Sequence, residues 1–153
     1  MKTIEIPIQV PNGFKIDSLD KEKSLITCSE IPKSINERIK TLQDAIDELG
    51  ELDEEVIELR KLENSEITSH VLYHQQAVVI AKALQDGWVA DYSNSNQTKY
   101  TAYYKISSSG GFVCDGYVNW NTRASVGSRL CFPTSELAKY FGTQFIEIHR
   151  KYL

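Results

Sequence analysis

The sequence predicts an α+β fold: a single domain in which a small, mostly antiparallel sheet packs against three to four helices. Three observations carry that prediction. Residues 77–84 are the most hydrophobic stretch, and the apolar residues around them recur at helical spacing. Residues 2–10 alternate apolar and polar, the period of a half-buried strand. From Trp88 onward the chain is rich in tyrosine and punctuated by glycine, the composition of hairpins. The chain of 153 residues is long enough to bury a core without disulfides or metal, and 41% hydrophobic with 25% charged residues is an ordinary globular balance.

The N-terminal strands span 2–28. Ile4, Ile6, Ile8 and Val10 line one face of the first, and Pro7, which cannot donate to a ladder, marks it as an edge. Pro11, Asn12 and Gly13 turn the chain, residues 17–23 make a charged turn, and a second strand covers 24–28. A helical part follows over 33–86. Ser34 is the expected N-cap, with Glu37 three residues on to complete a capping box. Ile35, Ile39, Leu42, Ile46 and Leu49 recur at steps of four and three. Gly50 interrupts them. Asp53 then caps a restart, with Glu54 and Glu55 in the first turn where the helix dipole favours acids. Leu52, Val56, Leu59 and Leu62 continue an apolar stripe that a short helical hairpin turns outward, towards a second copy.

Asn64 and Ser65 break the pattern before a central helix over 66–86. Its apolar residues form two stripes, Ile67, Val71, His74 and Val78 on one and Tyr73, Ala77, Ile80, Leu84 and Trp88 on the other. Two stripes mean neighbours on more than one side. Gly87 ends the helix. The tyrosine-rich sheet spans 88–132: a polar loop over 92–98, a strand over 99–106 turned by Gly110 and Gly111, and a type I′ hairpin with Asp115 and Gly116 at its tip. Residues 121–125 read as loop and 126–132 as a last strand. Thr134 caps a C-terminal helix over 134–152, with Leu137, Phe141, Phe145, Ile148 and Tyr152 as its buried stripe.

Composition narrows the function. Nothing approaches the roughly eighteen apolar residues of a membrane span, and Glu5, Pro7 and Gln9 interrupt any signal-peptide core. Residues 1–87 hold ten Lys/Arg against seventeen Asp/Glu, and residues 88–153 seven against four, a split unlike that of a uniformly basic nucleic-acid binder. Cys28, Cys114 and Cys131 are odd in number, widely spaced and without a CxxC, which reads as free thiols in a reducing cytosol.

No reaction is written in the motifs. Glu66, His70 and His74 lie at i, i+4 and i+8, but without HExxH or a further ligand cluster the two histidines read as half-buried packing residues, so no metal is assigned. The run from Gly127 through Ser128 and Arg129 to Leu130 lacks the closing glycine of a nucleophile elbow. Cys131 sits in an apolar run that raises its pKa. Gly110 and Gly111 lack the Lys and Ser/Thr of a phosphate loop. No catalytic residue and no cofactor site is assigned. The eight acids over 44–58 read as a solvated helix face, with a nucleic-acid-mimicking inhibitor surface as the alternative.

The candidate binding surface is aromatic: Trp88, Tyr92, Tyr100, Tyr103 and Trp120, with Arg123. Rings on an open sheet face stack single-stranded bases while Lys99, Lys105, Arg123 and Arg129 take phosphates. The competing reading puts half the rings in the core, because Tyr103 and Tyr104, adjacent in one strand, face opposite sides. The favoured partner is another protein or a second copy.

Three blocks carry a resemblance. One runs from Ile8 through Pro11, Asn12 and Gly13 to Asp17. The second runs from Ala83 through Asp86, Gly87, Trp88 and Asp91 to Tyr92, followed by Lys99 and Tyr100. The third runs from Val126 through Arg129, Cys131, Phe132, Pro133 and Gly142 to Phe145. Together they resemble small uncharacterised proteins encoded by phages, prophages and mobile elements of gut Bacteroidota. The likeness covers most of 65–153 and is weaker across 33–63; members of that family usually carry tryptophan where this chain has Tyr92. It implies a phage-like origin and a non-essential accessory or virion-associated role in the cytoplasm of a host cell, and brings no catalytic residues with it.

Overall fold

Ala77, Val78, Val79, Ile80, Ala81, Ala83 and Leu84 are all buried, on every side of one helix, Ser69–Gln85. That is what two apolar stripes require: neighbours around most of the helix circumference. A computed structural model describes residues 6–66, 69–123 and 128–153. Its class is α+β, and the chain falls into two compact units, Met1–Ser34 and Ile35–Leu153.

The first unit is a two-stranded antiparallel hairpin, β1 (Phe14–Asp20) and β2 (Leu25–Glu30). The Asp20 carboxylate accepts from the backbone N–H groups of Glu22 and Lys23 at 3.0 and 3.1 Å, which closes the turn. The leading strand expected over 2–10 is not formed in its described part: residues 6–10 have no regular structure, and residues 2–5 lie outside the described residues. Pro7 and Pro11 remove two donors there. Pairing goes instead to residues 14–20, most of which had read as a charged turn.

The second unit begins with three short helices, α1 (Ile35–Arg38), α2 (Leu42–Leu49) and α3 (Glu54–Glu63). The expected continuous first helix breaks at Lys40, because Thr41 starts a new one. Its hydroxyl accepts from the Asp44 N–H while the Asp44 carboxylate accepts from the Thr41 N–H. That reciprocal pair is the capping box. Gly50 closes α2, and the Asp53 carboxylate caps α3 by accepting from the Glu55 N–H at 2.9 Å.

The central helix α4 (Ser69–Gln85) packs against α2 and α3 on one side. Val56 and Leu59, expected to face outward, are fully buried, leaving Leu52 as the exposed residue of that stripe at 93%. An α3 that docks on α4 needs its apolar stripe for the core, so none is left over for a second copy.

β3 (Lys99–Ile106) and β4 (Phe112–Trp120) form a second antiparallel pair, joined by a turn over 107–111. Asp115 and Gly116 are not a turn. Tyr103 pairs with Gly116 and Tyr104 with Cys114, so Asp115 is the extra residue of a bulge in a continuous β4. Gly116, at φ +137°, supplies a backbone conformation that side chains disfavour.

The last expected strand is absent where described. Ser128–Leu130 is a 3-10 turn and Phe132 makes one bridge to Tyr100, while residues 126 and 127 lie outside the described residues. The C-terminal helix is two, α5 (Ser135–Gln144) and α6 (Ile146–Tyr152), with Thr134 capping the first by accepting from the Leu137 N–H. The β3–β4 pair packs on α5, and α6 packs on α4. Phe132, Ala138, Phe141 and Phe145 join the α4 residues in the core. Among the described residues, no helix is long and apolar enough to cross a membrane.

Candidate functional site

The six residues of the aromatic surface fall in separate places. In β3, Tyr100, Ala102 and Tyr104 face one side and Thr101, Tyr103 and Lys105 the other. The first side meets α5: Ala102 and Cys114 lie directly under Gly142. There the Tyr104 ring stacks on Phe112 at 5.2 Å and leans on His149 at 5.0 Å. Tyr100 meets Tyr117 edge-on at 5.4 Å, and the Lys139 ammonium caps the Tyr117 ring at 5.1 Å. Tyr103, on the opposite side, is 53% exposed. Trp120 is half-buried, and its indole N–H has no acceptor among the described residues. Arg123 is exposed in the loop after β4.

Trp88 and Tyr92 come together in a cleft of about 340 Å³ walled by Glu54, Glu55, Lys82 and Arg129. Every one of those charges is paired. Lys82 Nζ lies 2.9 Å from Asp53 and 3.3 Å from Glu54, and Arg129 Nη1 lies 2.7 Å from Glu55. Burial works against ionising Asp53, but the Lys82 ammonium and the Glu55 N–H outweigh it and hold its carboxyl below the usual range. The Tyr92 hydroxyl lies 3.6 Å from Cys131 Sγ, and its ring sits 5.3 Å from the Lys99 ammonium. Burial pushes the Cys131 thiol up, as its apolar surroundings predicted.

Of the four cations expected to take phosphates, Lys99 is fully buried. Its Nζ donates to the carbonyls of Gln97 and Asn121, each at 2.8 Å, and also to the Asp91 carbonyl. A lysine at the start of a strand reads as solvent-facing in sequence; here the polar loop wraps around it. Lys105 pairs with Asp115 and Arg129 with Glu55.

The acidic run over 44–58 is likewise met by bases from elsewhere. Arg38 pairs with Glu48, Arg60 with Glu51, Lys61 with Glu58 and Lys82 with Asp53. Glu66 lies outside α4, His70 and His74 are exposed, and the His74 ring meets Tyr152 edge-on at 5.3 Å. Among the described residues no three His, Cys, Asp or Glu side chains gather as a metal site.

The surface that sequence reasoning missed is in the first unit. Cross-strand pairs in an antiparallel hairpin share a face. Phe14 pairs with Glu30, Ile16 with Cys28 and Leu19 with Ile26. Asp17 is the extra residue of a bulge between Ile16 and Ser18, and it keeps Leu19 on the face of Phe14 and Ile16. One face is therefore Phe14, Ile16, Leu19, Ile26, Cys28 and Glu30, and the other Lys15, Ser18, Asp20, Leu25, Thr27 and Ser29. On the apolar face Ile16 is 49% exposed and Leu19 57%. The three-residue step from Ile16 to Leu19 breaks strict alternation, which hides the strand from a period-two reading.

No protein-family model, curated protein or solved structure matches the chain.

Proposed function

We propose that the protein is a non-catalytic binding or structural accessory module that engages another polypeptide through the apolar face of its β1–β2 hairpin. The observation that supports this reading is the exposure of that face. A two-stranded hairpin is marginal alone and gains stability when its apolar side is covered. Among the described residues no further strand joins its two outer edges, which suits them to strand addition. An accessory role fits the phage and mobile-element origin that the three sequence blocks imply.

A photo-crosslinking amino acid placed at Leu19, with Ser18 on the polar face as control, tests the reading in phage-producing cells. Adducts to another polypeptide from position 19 and not from 18 are expected. Crosslinks that stay within the chain, or none from either position, overturn it.

A further inference from the structure

We infer that the helical unit holds a second site, a pocket that takes a neutral, two-ring aromatic molecule carrying one hydrogen-bond acceptor. It lies wholly within Ile35–Leu153 and owes nothing to the hairpin.

The pocket has a volume of about 310 Å³, and five elements build it. Leu130 of the 3-10 turn and Phe141 of α5, both buried, form its base. Ala102 and Tyr104 of β3 make one wall and Tyr152 of α6 another. His74 of α4, which is exposed, stands at the mouth with its ring edge-on to Tyr152. A cavity of roughly 150 Å³ accommodates one benzene, so this one matches two rings. The rings of His74, Tyr104, Phe141 and Tyr152 favour an aromatic guest, through edge and face contacts that an aliphatic one does not make.

Among the described residues no Lys, Arg, Asp or Glu lines the pocket. Burial pushes the Tyr152 phenol up to about 12 and the adjoining His149 imidazole down to about 4, so the surroundings disfavour charge of either sign. A charged guest would lose its hydration without gaining a counter-ion.

Below the mouth, the hydrogen-bonding side chains are spent with one exception. His149 Nε2–H donates to the Phe141 carbonyl and its Nδ1 accepts from the Tyr152 hydroxyl, each at 3.0 Å. The Thr101 hydroxyl donates to the Leu130 carbonyl at 2.6 Å. The Tyr104 hydroxyl is buried and has no partner among the described residues. Its ring is held between Phe112 and His149, which fixes where the hydroxyl lies. A carbonyl or ring nitrogen pressed against Tyr104 satisfies that orphaned donor, which is why the guest carries an acceptor.

Three naphthalenes of similar size test this on the full chain: 2-acetylnaphthalene has a carbonyl acceptor, 2-ethylnaphthalene has none, and 2-naphthoate is charged. Methyl NMR shifts on titration report both affinity and place. The two neutral probes should shift the Ala102 and Leu130 methyls and leave those of Leu52 and Ile57, exposed elsewhere, unmoved. The carboxylate should bind at least about tenfold more weakly than the ketone. Tyr104→Phe should weaken the ketone by about threefold to tenfold, the worth of one neutral hydrogen bond, and leave the hydrocarbon unchanged. Because it removes an unsatisfied hydroxyl, the variant should unfold at no lower urea concentration than the parent. Earlier unfolding would mean that the hydroxyl already has a partner, and overturns the assignment. So does the absence of shifts from either neutral probe up to about 1 mM, or shifts confined to the cleft of Trp88. Equal loss for ketone and hydrocarbon in Tyr104→Phe, no loss for either, or a carboxylate bound as tightly as the ketone overturns it as well.

Discussion

Gly142 of α5 lies so close to Cys114 of β4 that a Cβ on the glycine would stand 2.6 Å from the cysteine Sγ. Ala102 closes the other side, with its Cβ 2.8 Å from the same point. The helix and the strand pair meet backbone to side chain here, and a missing methyl group sets their separation. Gly142→Ala is expected to destabilise the protein by about 1–3 kcal/mol despite the better helix propensity of alanine. Urea unfolding reads this directly, and Cys114→Ala in the same chain should recover part of the loss. An unchanged midpoint in Gly142→Ala would show that the contact is looser than described.

The buried Lys99 ammonium holds a loop together. It has three donors, and the carbonyls of Asp91, Gln97 and Asn121 take them, with Asn94 farther off at 3.4 Å. Lys99→Met keeps the stem and strands those carbonyls. The expected cost is about 2–4 kcal/mol. Hydrogen exchange should quicken over residues 91–97 before it does in α4. Equal protection in that loop would show that the ammonium is not what orders it.

His149 makes stability depend on pH. Its Nε2–H donates to the Phe141 carbonyl at 3.0 Å, so Nδ1 is left to accept from the Tyr152 hydroxyl, also at 3.0 Å. Burial lowers its pKa from 6.5 to about 4, partly offset by the bond to Phe141. The unfolded chain therefore binds this proton more readily than the folded one. The stabilisation is complete above the unfolded value and is lost as pH falls from there towards 4, at about 1.4 kcal/mol per unit. Asp44 is held below the usual carboxylate range by backbone N–H groups, first that of Lys40, and stays ionised in this window. Between pH 7 and pH 5 the loss should be about 2 kcal/mol, and His149→Phe should flatten it. An equal slope in the variant would assign the effect to another group.

Gly116→Ala isolates backbone strain. Nothing lies within 4 Å of a Cβ there, so space is not at issue, yet the backbone sits at φ +137°. A side chain in that region costs about 1–3 kcal/mol. The loss should appear in the unfolding midpoint without exposing Tyr104 or Phe112 to quenchers. A neutral substitution would mean that the bulge relaxes to accommodate it.

The helical half was the more legible. The caps at Asp53 and Thr134, the stop at Gly87 and the buried run through Ile80 all followed from local chemistry, which acts within one turn. What escaped was long-range pairing. Asp115 and Gly116 look like a hairpin tip in isolation, and only the turn at 107–111 makes them a bulge. Val56 and Leu59 were assigned to the surface because nothing local shows that α3 docks on α4. Lys99 was taken as a surface cation because the carbonyls that bury it come from residues up to 22 positions away. The aromatic surface was legible as a concentration of rings but not as a geometry, since adjacent tyrosines go to opposite faces.

The bulge at Asp17 gives the hairpin a property that composition does not record. Because side chains alternate with a period of two, pairing Asp17 into the ladder instead of leaving it as the extra residue would carry Phe14 and Ile16 across to the side of Ser18 while Leu19 stays in place. The greasy stripe would be split between two sides without any change in which apolar residues the chain contains. Adhesiveness in this segment is thus a matter of strand register, which the bulge at Asp17 sets without any part of the helical core.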